Sequence, residues 1–473
     1  MSTERLIVAK IGGESQETSE GFRAGMVYVS GSDIDILVPS AIGGTPKVTH
    51  LLVACCTPFW GEDHPYHEIY RKVRETYPTI GRIFTEIRRM YTSMGGALGY
   101  YGLGRELDEV ERIINTVSKL DSESEISKYG QMIVSRGEWL SGHMWAELLG
   151  WEFVDPTEMI LLRENGQIDQ RSYGSIRKRL KSRVKVVVPG FFGRDRDGAV
   201  KLLPTNGSDL TAAYIAYGIN ASEYQNLKGV DGVFSADPKI LEKFGRSPIL
   251  IPKMTYGEYD ELAYGGFRVL HPDVTAPLAA AGINLRVLNP VTLQSEPDYK
   301  GSLIVASRNV RPDEDVIGIA GMNGFAALKI SKRGMEYDKG IVRRILQIIE
   351  RDGVSISHSP TELNSITVLF TENQLLGNRK VKIMEEIERQ IRPTEMRLDS
   401  VGVLSAVGLG IKGHRTRVSR ILFAALDEAG IEQLGGMQGY DGISETYIFN
   451  SCELDKAISV AHKALIEDRK PSA

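Results

Sequence analysis

Cysteine is scarce in this 473-residue chain: Cys55, Cys56 and Cys452 are all there is. So few, and an odd number, exclude a disulfide framework, and no Cys/His spacing matches a metal site. Cys55 and Cys56 follow the apolar "THLLVA", which points to core packing rather than redox chemistry. An excess of one charge is missing too. Lys and Arg number 57 against 61 Asp and Glu, a net −4, whereas a nucleic-acid binder would carry a strongly basic face. No apolar run approaches the ~20 residues of a membrane span. The opening "MSTERLIVAKIGGES" has neither the apolar core nor the cleavage pattern of a signal peptide. The expectation is a cytoplasmic protein with no nucleic-acid or membrane partner, in which the Asn-X-Ser triplets at Asn206 and Asn220 are accidental.

What is present is a globular composition, 42% hydrophobic and 25% charged, long enough for two to four domains at roughly 100–200 residues each. "RLIVAKI" (5–11) reads as a strand closed by Gly12 and Gly13. "DIDILVPSA" (33–41), "VKVVVPGFFG" (184–193) and "INLRVLNP" (283–290) read as further strands. "TIGRIFTEIRRMY" is helical, and "DLTAAYIAYGI" is a helix with Ser208 or Asp209 as its N-cap. Strands alternating with helices predict an α/β domain with a largely parallel sheet, covered on both sides, to about residue 305.

"SRNVRPDED" (307–315) fits a linker, and beyond it the chain repeats itself. Val342, Arg344, Ile345 and Leu346 fall opposite Val418, Arg420, Ile421 and Leu422, an offset of 76 residues. Each of these helices is preceded by an alternating strand ("FAALKIS", "VGVLSAVGL") and followed by a loop and a strand ("NSITVLF", "SETYIFN"). The period is too long for a solenoid; a duplicated α+β module of βαββ type is the expectation.

Five stretches carry candidate chemistry. In "AKIGGES" a glycine pair after a buried strand lets backbone approach an anion, with Lys10 as a point charge; an ordinary tight turn is the plainer reading. The spacing is not that of a Walker loop. "PSAIGGTPKVTH" offers Ser40, Thr45 and Thr49 at the carboxyl end of a strand, where α/β sheets bind ligands. "SRGEWLSGHM" places Arg136 and Glu138 at a helix start, where a lone Glu is usually a first-turn charge. In "TNGSD", Asp209 could bind a divalent cation or position a lysine. "KGVDGVFSADPKI" adds Phe234 as a stacking surface, with Asp237, Pro238 and Lys239 closing a turn.

Taken in order, "KIGGES", "PSAIGG…KVTHLL", "SRGEWLSG", "VVVPGFFG", "TNGSDLTAAYIA", "VDGVFSADPKI" and "GGFRVLHP" resemble the aspartate kinases of the amino-acid kinase superfamily, which end in paired ACT domains. The likeness spans nearly the whole chain. It implies a three-layer α/β fold with a mainly parallel central sheet, followed by two α+β ACT (βαββαβ-like) modules. The implied division is a catalytic domain over 1–305, a linker over 306–316, and ACT modules over 317–395 and 396–473. The implied reaction is phosphorylation of the β-carboxylate of L-aspartate by ATP with Mg2+. Lys10 and Asp209 then correspond to catalytic positions, and Asp209 also to the metal side. Ser40, Thr49, Glu138, Phe191 and Ser208 match the substrate side. Lys10, Gly12, Gly13, Lys228, Gly229, Phe234, Ser235, Asp237, Lys239 and Arg268 match nucleotide-contacting positions. The resemblance also implies a homodimer or higher homo-oligomer and an amino-acid effector, lysine or threonine, at the ACT modules.

The chain departs from the family pattern at the substrate side. The family loop Gly-Arg-Gly-Gly-Ser-Asp reads "PTNGSD", so Thr205 stands where an arginine grips the substrate α-carboxylate, and threonine offers no guanidinium fork. "GGES" puts Glu14 beside the phosphate turn, and "RGEW" gains Arg136. Arg136 as a substitute carboxylate ligand is one reading. A related kinase of a specialised pathway acting on a different amino-acid carboxylate is a second, and a non-catalytic amino-acid sensor a third.

Overall fold

The computed structural model describes residues 6–56, 66–117, 123–180, 185–204, 206–266, 270–296, 298–311, 314–439 and 442–468. They form two compact units, one of Met1–Val233, Pro252–Tyr256 and Leu270–Arg308, the other of Phe234–Ile251, Gly257–Val269 and Asn309–Ala473.

The first unit is built on β1 (Ile7–Ile11), β2 (Ile36–Pro39), β3 (Glu152–Phe153), β4 (Val186–Val187), β5 (Phe192–Arg194), β6 (Val200–Leu202), β7 (Glu223–Leu227), β8 (Lys253–Thr255), β9 (Asn284–Leu288) and β10 (Ser302–Val305). Eight of them form one sheet in the order β3-β4-β2-β1-β7-β9-β10-β8, while β5 and β6 make a separate ribbon. Every neighbouring pair in the large sheet is parallel except β9 and β10. The chain leaves β1 for β2 on one side and later enters β7 on the other. The loops after β1 and β2 therefore open a crevice at the carboxyl ends of the strands, where sheets of this kind take ligands.

Side chains of a strand alternate between faces. Ala9 and Ile11 of β1 enter a core shared with Phe22, Leu52, Leu140 and Trp145, so Val8 and Lys10 face the other layer, where the helix Gly207–Ile219 lies. Cys55 and Cys56 are buried in the same core as Leu52, as their apolar context predicts. Among the described residues no helix is long and apolar enough to cross a membrane.

The second unit carries β11 (Gly318–Ser331), β12 (Ser365–Thr371), β13 (Glu395–Val407), β14 (Gly435–Gln438) and β15 (Ser444–Asn450) in one antiparallel sheet, order β12-β11-β13-β15-β14. The repeat halves thus share a sheet, their leading strands β11 and β13 pairing at its centre with a register shift between Met322 and Phe325. The helix Ile341–Arg351 covers a core of Leu328, Ile345, Ile366 and Phe370. The helix Ile411–Glu428 covers a second core of Ile319, Leu404, Leu422 and Phe449, which also takes in Ala236 and Leu241. The molecule is therefore a mainly parallel α/β sheet plus an antiparallel α+β pair of ACT type, the class that the sequence implied.

Two local expectations are corrected. Glu138 is not in a first turn: the helix runs Glu123–Leu149, because "SKYGQMIVSRG" contains no breaker strong enough to stop it. Nor does Ser208 or Asp209 cap its helix. That position falls to Asn206 in a left-handed conformation (φ 64°), and both acidic-loop residues sit in the first turn.

Candidate active site

The crevice at the ends of β1 and β2 holds a cleft of about 290 Å³, lined by Lys10, Gly12, Gly13, Ser40, Thr49 and Glu138, with Asp209, Lys228 and Gly229 opposite. A second lobe of about 210 Å³ shares Lys10, Ser40, Thr49, Glu138 and Asp209 and adds Phe191 and Ser208. Eleven sequence-predicted positions, widely spaced along the chain, thus border one continuous space.

The glycine pair serves backbone packing. A side chain on Gly13 would meet the Ala41 carbonyl at 2.7 Å, and one on Gly43 the Gly13 carbonyl at 2.5 Å. The two loops are locked by a hydrogen bond from Gly43 N to the Gly13 carbonyl (2.9 Å). The Gly12 N–H is already engaged, donating to the Leu227 carbonyl at 3.1 Å.

Lys10 is a buried cation on an apolar strand and must be paired. Its Nζ lies 3.1 Å from Oδ1 of Asp209, itself buried. Burial raises the Asp209 pKa, but Lys10, Lys228 and the amide of Asn226 outweigh it and hold the carboxyl below its ordinary value. Asn226 Nδ2 donates to Asp209 Oδ1 at 2.8 Å. Burial depresses the Lys228 pKa, and Lys10 adds to the effect, while Asp209 and Glu14 oppose it.

Glu138 stands across the cleft. Burial pushes its pKa up to about 8, against the lowering effect of peptide hydrogen bonds and of Lys10. Its Oε2 is buried with no hydrogen-bond partner, as expected of a carboxylate whose counter-ion arrives with a ligand. Phe191 forms a wall at φ 77°, a conformation rare for a bulky residue. Its N–H donates to Thr211 Oγ1 at 3.0 Å, which fixes it. Gly190 lets this loop touch the helix start: a side chain there would lie 2.5 Å from Ser208 Cβ.

The lysines Lys10 and Lys228 and the acidic Asp209 and Glu138 thus line one cleft. A model of the amino acid kinase family matches residues 5–289. The chain belongs to the amino acid kinase family.

Within this family the chain is similar to Aspartokinase 3 of Bacillus subtilis, 28% identical over 66% of this chain and 68% of that protein. It is 24% identical to the bifunctional aspartokinase/homoserine dehydrogenase of Haemophilus influenzae over 98% of this chain, spanning 57% of that protein's length. The solved aspartate kinase of Clostridium acetobutylicum, an allosteric enzyme, superposes with a TM-score of 0.82 at 28% identity, over 97% of this chain and 100% of that one. Escherichia coli aspartokinase III, solved with aspartate and ADP, shares the fold (TM-score 0.71, 18% identity, 97% and 99% coverage).

Arg136 does not join the family cleft. Residues two apart on an α-helix point about 200° apart, so with Glu138 facing the cleft Arg136 turns away. Its guanidinium lies 5.1 Å from the Trp139 ring centroid and 6.0 Å from that of Phe192, and Nε donates to the Met132 carbonyl at 3.3 Å. Its role as a substitute carboxylate ligand is corrected on that geometry. Replacing it is a packing change: Arg136→Ala is expected to leave substrate KM within about twofold while lowering stability by about 1–3 kcal/mol. Steady-state kinetics and thermal melts check both.

The remaining nucleotide-side residues lie in the second unit. Phe234 is half-buried and Lys239 exposed. Asp237 caps the short helix Pro238–Glu242, accepting from the Lys239 N–H at 2.8 Å. The Ser235 side chain is buried. Thr205 and Arg268 fall outside the described residues. Residues that the sequence did not flag are Asn226 beside Asp209, and Gln16, whose amide donates to the Ser40 carbonyl at 2.8 Å and accepts from Trp145 Nε1 at 2.8 Å. A polar Asn inside a buried strand was a usable signal for the first; Gln16 carried none.

Proposed function

We propose that this chain is an aspartokinase, transferring the γ-phosphoryl group of ATP to the β-carboxylate of L-aspartate to give aspartyl-4-phosphate and ADP. The observation that carries the reading is the buried Lys10–Asp209 pair facing an unpaired Glu138 across one cleft. A carboxylate oxygen of aspartate attacks the γ-phosphorus, and the bond from that phosphorus to the β,γ-bridging oxygen breaks, its electrons leaving with ADP. Such a transfer asks for alignment and charge neutralisation more than for proton transfer. Lys10 supplies fixed positive charge to the moving phosphoryl group, and Asp209 fixes the lysine. Lys228 adds a second cation. Glu138 takes the α-ammonium of aspartate, and Ser40, Thr49 and Ser208 offer hydroxyl donors to its carboxylates. The first turn of the helix Gly207–Ile219 adds the favourable end of its dipole.

Among the described residues no three His, Cys, Asp or Glu side chains converge on a metal position. One of the cleft carboxylates, Asp209, fits Mg2+ that enters on nucleotide phosphates, since this ion keeps waters and takes one or two protein carboxylates. When bound it draws charge from the phosphate oxygens. Feedback by an amino acid at the second unit belongs to the same reading, and so does assembly as a homo-oligomer.

The described cleft lining contains Lys10, Lys47 and Lys228 but no arginine, which favours a second reading: an aspartate analogue lacking the free α-carboxylate. One screen tests both. Full-length protein with Mg-ATP is offered aspartate and analogues, and the acyl phosphate is trapped with hydroxylamine. Signal with aspartate supports the main reading; turnover of an analogue alone selects the second; ADP release independent of any amino acid sinks both.

A further inference from the structure

A serine, a histidine and a glutamate meet inside the second unit. Ser235 Oγ lies 2.8 Å from His462 Nε2, and His462 Nδ1 lies 3.0 Å from Glu467 Oε1. Ser235 is 1% exposed and His462 not at all. The Ile249 N–H donates to the same serine hydroxyl at 2.8 Å. The imidazole thus bridges the serine hydroxyl and the glutamate through its two ring nitrogens. The trio is ordered as in a hydrolase, but a nucleophile needs an approach for its substrate, and this hydroxyl is enclosed. Its place in the fold gives it another use.

The main chain of Ser235 is bonded on both sides: its N–H donates to the Ile249 carbonyl at 2.8 Å, and its carbonyl accepts from Ile319 of β11 at 2.7 Å. One residue therefore ties the segment Phe234–Ile251 to the leading strand of the C-terminal sheet and, through His462, to the last helix, Leu454–His462. Ala236 and Leu241 sink into the core beside Ala457, Ile458 and Ala461 of that helix. The helix ends in a single π turn, Lys463–Glu467. Five residues along an α-helix leave two side chains about 140° apart, whereas the i→i+5 bonding of a π turn brings such residues onto one face. The π turn is what lets His462 reach Glu467. Glu467 also pairs with Arg246 of the same segment.

We infer that His462 is a positioning residue for nucleotide: through Ser235 it holds Phe234–Ile251, and with it Phe234, Asp237 and Lys239, in the shape that meets ATP. The inference rests on the aspartokinase reading for the role of those three residues. It also makes the serine hydroxyl an internal strut rather than a nucleotide ligand.

The test uses full-length His462→Ala, His462→Gln, His462→Asn, Ser235→Ala and the Ser235→Ala/His462→Ala double variant, with circular dichroism and melting to confirm folding. ADP affinity is read by titration calorimetry, and KM for ATP and for aspartate by kinetics. His462→Ala and Ser235→Ala should each weaken ADP and raise KM for ATP about tenfold, with KM for aspartate within about twofold, and the double variant should be no worse than either single. Gln places an amide near the Nε2 position and Asn near Nδ1, so Gln alone should restore nucleotide affinity. Should His462→Ala fail to fold, Ser235→Ala carries the same prediction. Unchanged ADP affinity, equal loss for both substrates, or equal rescue by Gln and Asn overturns the inference. Wild-type protein that binds ADP but phosphorylates no aspartate sinks the functional reading and leaves the ADP measurements to decide this one; wild-type protein that binds no ADP overturns both.

Discussion

Lys10→Ala is expected to lower kcat by about 10³-fold or more, the range seen when a preorganised cation on a transferring phosphoryl group is removed. The same change leaves Asp209 buried without its nearest cation, and breaking a buried pair from one side destabilises by about 3–5 kcal/mol. The two losses are separable by pH and by a second substitution. In the wild type Asp209 has its pKa held below the ordinary value, so its contribution to stability is present above the unfolded pKa and fades as pH falls through the folded one. Without Lys10 the folded pKa rises, burial being its largest influence. The stability deficit of the variant is then largest near neutrality and shrinks in acid, where the carboxyl is protonated. Adding Asp209→Asn to Lys10→Ala should recover most of the lost melting temperature and none of the activity. Recovery of both would show that Lys10 acts only through folding. A deficit that does not shrink as pH is lowered from 7 towards the unfolded aspartate pKa of about 4 would refute the pairing argument.

Glu138→Gln is expected to raise KM for aspartate about 10²-fold while making the ligand-free protein more stable. Exchanging one charged partner of a desolvated pair for a neutral one weakens binding by about 2–5 kcal/mol. The stability gain has the opposite sign because the wild-type carboxyl, with no bound ammonium, is buried and raised to about 8 from 4.5. The folded state therefore binds a proton that the unfolded chain releases. Stability is full below the unfolded pKa and is lost as pH rises from 4.5 through about 8. Glutamine has no such slope, so its advantage should be absent in acid and reach on the order of 5 kcal/mol above pH 8. Kinetics should show the same group. Below its pKa, binding an ammonium requires Glu138 to release a proton, so wild-type KM for aspartate should fall about tenfold per pH unit toward 8. In the variant that dependence should vanish. A wild-type KM that is flat from pH 6 to 8 would rule out Glu138 as the ammonium ligand.

Much of this site is legible in the sequence. Lys10 ends an apolar run and is followed by two glycines; Asp209 follows a small-residue turn and opens an apolar helix. Such punctuation is local, and local chemistry can be read from neighbours along the chain. The C-terminal duplication was legible for the same reason, since a repeated pattern of apolar spacing survives whatever surrounds it. Arg136 shows where that kind of reading stops. It sits two residues from Glu138, and only the rotation of an uninterrupted helix, begun well upstream, places the two on opposite faces. The N-cap of the helix Gly207–Ile219 was misplaced because the choice of Asn206 depends on Gly207 packing against Phe191, where a side chain would come within 2.5 Å of the ring.

By itself the sequence determined the α/β class, the duplicated tail, and the identity of the cation, the carboxylates and the glycines at the cleft, because strand and helix periodicities and turn residues act over a few positions. Only the tertiary structure decided how those groups are charged and what they hold. That Glu138 is raised to about 8, that Lys10 is neutralised by a residue 199 positions away, and that Ser235 is tied to His462 rather than offered to a ligand all follow from burial and long-range pairing. Desolvation and Coulomb forces depend on distance through space, which no spacing along a chain records.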